Sequence, residues 1–179
     1  MKQMILAAFV AGVMPMIACT KDFDNSTVSS FDLSRYLGTW YEIARFDHSF
    51  ERGMDNAMAE YILQDDGTVF VMNTAWKNGK FKVAQGKAKY PDPAGKPGGL
   101  KVSFFLFFYS DYNVMMVDEN YQISLVGSKA ENYLWILSRT PVPDPDLLKL
   151  VLDEARSRGY DTSKLIWVDQ SRNMYVNFQ

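Results

Sequence analysis

The only histidine of this 179-residue chain lies in Asp47-His48-Ser49, and its only cysteine is Cys19. An acid, an imidazole and a hydroxyl are the parts of an acyl-transfer triad, but three consecutive residues do not make one, because a triad assembles in space from separate elements. His48 therefore reads as a solvated loop residue. One histidine and one cysteine fall short of the four nitrogen or sulfur ligands of a structural zinc site, and a single cysteine excludes an intrachain disulfide. The carboxylates are scattered, and their spacing defines no glycosidase-like pair. No catalytic residue, metal or cofactor is expected, and the chain reads as a binding protein rather than an enzyme. With 19 basic against 21 acidic residues it lacks the basic face that nucleic acid demands. At 47% hydrophobic and 15% aromatic residues it has the means to bury a core and is not a disordered chain.

Cys19 carries a different chemistry. Lys2 is the only charge before Lys21, Met4 to Val13 is an apolar run, and Pro15 follows. The run is too short to span a bilayer as a permanent helix. Met16-Ile17-Ala18-Cys19 puts a small residue just before the cysteine, which resembles a bacterial lipoprotein signal, with Met16 standing where leucine is usual. That resemblance implies removal of residues 1–18 and acylation of Cys19 with diglyceride and palmitate; an ordinary secretory signal with an unmodified cysteine is the alternative. Each buried CH₂ contributes about 0.8 kcal/mol, so two or three chains anchor stably where one does not. Residues 19–30 are polar and aperiodic and read as a flexible tether, leaving 31–179 as the folded domain. Asn25-Ser26-Thr27 is a formal sequon that carries no weight in a bacterial lipoprotein.

The elements that would position any site are strands. Turn signals recur at Asp65-Asp66-Gly67, Lys77-Asn78-Gly79, Pro91 to Gly99, Asp118-Glu119-Asn120 and Ala130-Glu131-Asn132. Between them lie eight segments rich in aromatic and β-branched residues: 40–46, 57–63, 68–75, 81–90, 100–108, 112–117, 121–127 and 133–139. Many short strands at this spacing predict an all-β fold, and eight antiparallel strands close into an up-and-down barrel able to hold one small ligand. Side-chain alternation assigns faces. In the fourth segment Lys80 and Lys82 share one phase and Lys87 and Lys89 the other, so a β-bulge is expected near Ala84–Gly86. Phe105 and Phe107 interrupt the polar phase of the fifth; a place under the helix, at the barrel mouth or in a contact surface would each explain them. One C-terminal helix is predicted, with Asp144 as N-cap, Pro145 at the first position and Gly159 as terminator. Its stripe of Leu147, Leu148, Val151, Leu152 and Ala155 should pack on the outside of the barrel. Residues 165–168 form a short final strand.

Gly38-Thr39-Trp40 opens the first strand and Ser138-Arg139-Thr140-Pro141 closes the last. This resembles the lipocalin signature, in which the tryptophan packs at the closed end beneath an arginine. Trp40-Tyr41-Glu42-Ile43-Ala44-Arg45, Phe50-Glu51-Arg52-Gly53, Ala59-Glu60-Tyr61 and Tyr133-Leu134-Trp135-Ile136-Leu137 look like bacterial outer-membrane lipocalins and the related apolipoprotein D. Two departures exist: Asp118 stands between Val117 and Glu119 where the family's middle motif is Thr-Asp-Tyr, and the paired cysteines of apolipoprotein D are absent. Gly38, Trp40 and Arg139 are structural by this resemblance.

Alignment of strand phase to the family points Ala44, Ala59, Tyr61, Val102, Phe104, Tyr112, Val114, Met116, Tyr133 and Trp135 inward as a ligand-lining set, with Glu42, Leu63 and Leu137 in the same phase. An inward Glu42 needs a partner or neutralises; Arg139 is one candidate, and an outward Glu42 is the alternative. The resemblance implies fatty acids or lysophospholipids as ligands, in a lipid-anchored carrier of the bacterial envelope. Three other readings stand beside it: a barrel filled by its own side chains, an envelope interaction module acting through its outer surface or as a homodimer, and a lipocalin-type isomerase. Haem or siderophore capture fits poorly, since the inward set holds Arg139 as its only cation.

Overall fold

The computed structural model describes residues 23–105 and 107–173. The expected signal segment, Cys19 and the residues after Asn173 lie outside that range. A single helical turn, α1 (Leu33–Tyr36), leads into β1 (Gly38–Arg45), β2 (Met54–Leu63), β3 (Val69–Lys77) and β4 (Lys80–Lys89). The wall continues with β5 (Gly99–Ser103), β6 (Ser110–Val117), β7 (Ile123–Gly127) and β8 (Leu134–Ser138), after which come α2 (Pro145–Ser157) and β9 (Ile166–Trp167). Each strand pairs antiparallel with the next, and β1 pairs with both β2 and β8, so the eight-strand sheet closes into a barrel. β9 adds to β1 from outside, opposite Ala44 and Arg45.

The β1–β2, β3–β4, β5–β6 and β7–β8 connections lie at one end, the mouth. The β3–β4 connection is the two-residue Asn78-Gly79, both with positive φ (52° and 72°), as a tight right-twisted hairpin requires. At the opposite end Asp118 holds the β6–β7 turn by accepting the amides of Asn120, Gln122 and Ile123.

Two apolar clusters share the wall. One fills the closed half of the lumen and includes Tyr36, Trp40, Ala59, Tyr61, Val71, Val114, Val126 and Leu137. The other lies between the barrel and α2 and includes Ala44, Met115, Leu125, Ile136, Val151 and Ala155. Asp144 caps α2 through the amides of Asp146 and Leu147, and Gly159 follows the last turn with φ +93°.

Three expectations are corrected. The β3–β4 register runs unbroken from Val69↔Ala88 to Lys77↔Lys80, so no bulge exists at Ala84–Gly86. Bulges lie instead in β1 between Glu42 and Ala44, in β2 between Asp55 and Met58, and in β6 between Val114 and Met116. β5 ends at Ser103, leaving Phe105 and Phe107 in the mouth connection, exposed at 68% and 89%. Residues 23–30 do not hang free: the chain is tied along the barrel wall by Asp24 N–H to Arg158 O (2.8 Å) and Val28 N–H to Val114 O (3.0 Å).

Candidate functional site

The closed end is built around Trp40. Its indole donates to Tyr36 O at 2.8 Å, and the Arg139 guanidinium lies 3.9 Å above the ring. Arg139 also donates to Thr39 O and Arg35 O at 2.7 Å and to Tyr121 O at 3.2 Å. Gly38 has φ +87°, a conformation that a side chain would strain. These three signature residues close the barrel floor.

Above the floor, three tyrosine hydroxyls meet in the lumen. Tyr112 OH lies 2.8 Å from Tyr36 OH and 2.9 Å from Tyr61 OH, and Tyr36 OH also reaches Ser124 Oγ at 3.4 Å. Burial pushes Tyr36 up to about 12 and raises Tyr61 and Tyr112 as well. The trio stays neutral and offers hydroxyls, not charge, to the lumen.

Nearer the mouth the lumen holds an acid–arginine–acid arrangement. Arg45 Nη1 lies 2.5 Å from Glu42 Oε1, and Nη2 donates to Glu51 O and Met54 O at 2.9 and 3.0 Å. Trp135 Nε1 donates to Glu51 Oε2 at 3.1 Å, and His48 Nε2 lies 2.9 Å from the same oxygen. Burial first, and then the charge of Glu51, raise the Glu42 carboxyl to about 8, against the pull of Arg45. Glu42 therefore faces inward and is held by Arg45, not by Arg139. His48 is not a solvated loop residue: it is 6% exposed, stacked 3.9 Å from Phe50 and set 5.2 Å from Trp135. The segment after β1 turns His48 and Glu51 back toward Trp135, while Asp47, Ser49, Phe50, Arg52 and Gly53 stay exposed.

The facing wall is made of small side chains. Ala59 pairs with Asn73 and Asn73 with Ala84, while Val71 pairs with Gly86, and antiparallel partners share a face. Ala75, one phase step above Asn73, is buried and opposite Lys82. Gly86 has no Cβ because the Phe104 ring occupies its place; an added carbon would lie 2.7 Å from Phe104 Cδ1 and 2.6 Å from Ser103 O. Among the described residues, Asn73 Oδ1, Arg45 Nε and His48 Nδ1 are buried without a hydrogen-bond partner. A buried polar atom left so costs free energy unless something pairs with it.

Of the expected lining set, Ala59, Tyr61, Val102, Tyr112, Val114 and Trp135 belong to the lumen cluster or pack on it. Phe104 and Tyr133 stand at the mouth, the latter 5.9 Å from the Trp135 ring. Ala44 and Met116 do not face the lumen: each follows a bulge that turns its side chain toward the cluster under α2. Arg45, Glu51, His48, Asn73, Ala75 and Ala84 were not foreseen. The alternation Val69-Val71-Asn73-Ala75 held the signal for two of them.

Two surface hollows of about 360 and 500 Å³ lie elsewhere, lined respectively by the Gln64–Thr68 turn with Phe70, Gly86 and Lys87, and by Ser30–Asp32, Arg35 and 117–121. Neither includes an aromatic of the mouth.

A lipocalin-like domain matches residues 31–170. The outer membrane lipoprotein Blc of Escherichia coli K12 is 43% identical over 175 residues, covering 95% of this chain and 98% of that protein. Temperature-induced lipocalin-1 of Arabidopsis thaliana is 37% identical (85% and 86% covered), and mouse apolipoprotein D 33% (79% and 78%). Among solved structures, insecticyanin of the tobacco hornworm superposes with a TM-score of 0.68 at 24% identity, covering 82% of this chain and 84% of insecticyanin.

Proposed function

The chain belongs to the lipocalin family, and from that premise we propose that it is a lipid-anchored carrier that binds fatty acids or lysophospholipids in the mouth half of its barrel. Its relatives at 42–44% identity are named outer membrane lipoproteins. We place this chain likewise at the bacterial outer membrane, its signal ending at residue 18 and its acyl chains on Cys19.

One observation carries the ligand reading. The lumen wall from Ala59 through Asn73, Ala75 and Ala84 to Gly86 is built of small side chains, and it faces Trp135, Arg45 and Tyr112. An acyl chain fits between an aromatic side and a small-residue side, since pockets are largely apolar with a few placed polar groups. The buried, unpartnered Asn73 Oδ1 supplies an acceptor for a glycerol hydroxyl. The lining contacts proposed are Ala59, Tyr61, Val102, Phe104, Tyr112, Val114, Tyr133 and Trp135, with Asn73, Ala75 and Ala84 added. Among the described residues, His48 Nε2 faces a carboxylate, not a hydroxyl.

Native mass spectrometry of the full chain purified from membranes, followed by lipid extraction, identifies the occupant. Titration with lysophospholipids of increasing chain length is expected to give a saturable change in tryptophan fluorescence at micromolar ligand. The Trp135→Phe variant should lose that change while still binding by mass. No saturable response at any chain length, with no lipid bound by mass, rejects the proposal.

A further inference from the structure

The N-terminal strap and the exposed aromatics lie at the same end of the barrel. Asn25 Nδ2 donates to Ser128 O, the first residue beyond the mouth end of β7, and Asn113 Nδ2 donates to Asn25 O. From there the strap runs toward the floor, through Val28 on Val114 to Phe31, whose ring packs on Tyr36 and Tyr90. Arg158 fastens it through Ser26 O at 2.9 Å and Asp24 Oδ2 at 3.3 Å. Phe23 is thus the mouth-side end of the strap, packed 5.7 Å from Tyr160. Cys19 precedes it by four residues, a reach of at most about 14 Å even fully extended.

The mouth presents apolar side chains to solvent. Phe105, Phe107 and Phe108 are 68%, 89% and 74% exposed, and Phe104 is 45% exposed. The neighbouring β3–β4 hairpin adds Phe81 at 54%, flanked by the exposed Lys80 and Lys82. Of the acidic groups at this rim, Asp47 is paired with Arg52 and Asp111 with Lys101, Asp55 accepts from Asn56 Nδ2, and Glu131 lies in the β7–β8 loop beside Lys129.

We propose that the mouth docks on the same bilayer that holds the acyl chains of Cys19, with Phe105, Phe107 and Phe108 entering the headgroup–acyl boundary. The proposal rests on the anchor at Cys19. A strap tied to the wall from residue 23 denies the domain the freedom to turn its floor to the membrane. Contiguous exposed aromatics mark an interaction surface, and lysines at its edge meet anionic headgroups while their stems lie along the apolar boundary. Cargo then enters and leaves the lumen at the membrane surface without crossing water.

The full chain, recovered in detergent and reconstituted into phosphatidylethanolamine–phosphatidylglycerol vesicles, tests this. A bimane probe is placed by Phe107→Cys at the mouth or by Glu119→Cys at the floor, and quenching by spin-labelled acyl chains is read. Quenching at 107 several-fold above that at 119 is expected. Adding Phe105→Ser and Phe108→Ser should cut quenching of a Lys80→Cys probe at least threefold, with the unfolding transition still cooperative. Equal quenching at both ends, stronger quenching at the floor, or none at either overturns the docking. The mass of the mature N-terminus is read in parallel, and an unacylated Cys19 overturns the anchor and this orientation together. Loss of lysophospholipid binding alone leaves the quenching pattern intact, and so separates failure of the cargo reading from failure of this one.

Discussion

Glu42 and Arg45 stand three residues apart on β1, yet their side chains meet on the same side of the wall, Oε1 to Nη1 at 2.5 Å. A regular strand would put them on opposite faces. The bulge between Glu42 and Ala44 turns the phase, so Arg45 enters the lumen and Ala44 leaves it.

The pair is buried, its side chains 2% and 8% exposed, and Glu51 is the second acid on the guanidinium. Removing the cation strands carboxylates in a poorly hydrated space. Arg45→Met is expected to cost about 3–5 kcal/mol at pH 9, as broken buried pairs do. The loss should shrink toward pH 5, where Glu42 takes a proton. Adding Glu42→Leu should recover most of it. Urea unfolding of the three proteins at both pH values measures this, and a double variant no more stable than Arg45→Met counts against the pairing.

The pH dependence of the unmodified protein follows from the same carboxyl. Its pKa rises from 4.5 in the open chain to about 8 in the fold, so the folded state holds the proton more tightly. The associated stability is fully present below about pH 4.5 and is lost as pH rises through about 8. Glu42→Gln carries no such proton, and its stability should vary less between pH 5 and 9. Parallel urea midpoints across that range show whether the slope belongs to Glu42.

How far the sequence revealed the lumen depends on what covered each strand. Strand count, helix caps and the Trp40–Arg139 floor were legible because turn residues, cap residues and the signature spacing report local geometry. The bulges in β1 and β6 were not, because both faces there are buried: one meets the lumen and the other α2. Ala44 and Met116 are at home on either side, and alternation cannot register an inserted residue. β4 misled in the opposite way. Lys80 to Gln85 are exposed on both faces, since β4 pairs with β5 only at Lys87–Lys89. With neither face covered, Lys80 and Lys82 sit in the lumen phase without cost, and the change of polar phase signals exposure, not a bulge.

At Gly86 the small-residue wall touches the mouth aromatic Phe104. An added Cβ meets a backbone oxygen at 2.6 Å as well as the Phe104 ring, and the backbone cannot simply rotate away. Gly86→Ala is expected to cost about 1–3 kcal/mol, the range for overpacking. It should also speed amide exchange at Phe104 and Phe105 by releasing that ring. Unchanged stability together with unchanged exchange would show that the ring has another seat.

Arg139 acts at the floor, away from the proposed ligand site. It joins α1, β1 and the β6–β7 turn by donating to Arg35 O, Thr39 O and Tyr121 O, while stacking on Trp40. Charged hydrogen bonds contribute about 1.5–3 kcal/mol each in favourable cases, and a guanidinium–indole stack about 0.5–2; the group is partly solvated, so about 3 kcal/mol is the expected cost of Arg139→Ala. Lysine offers one point charge in place of a planar fork, and Arg139→Lys should restore less than half. The mouth lies at the other end of the barrel, so lysophospholipid affinity should stay within about twofold in both variants, measured below their unfolding midpoints. A larger loss of affinity would place the ligand's tail on the floor, against Trp40, and not between Trp135 and the small-residue wall.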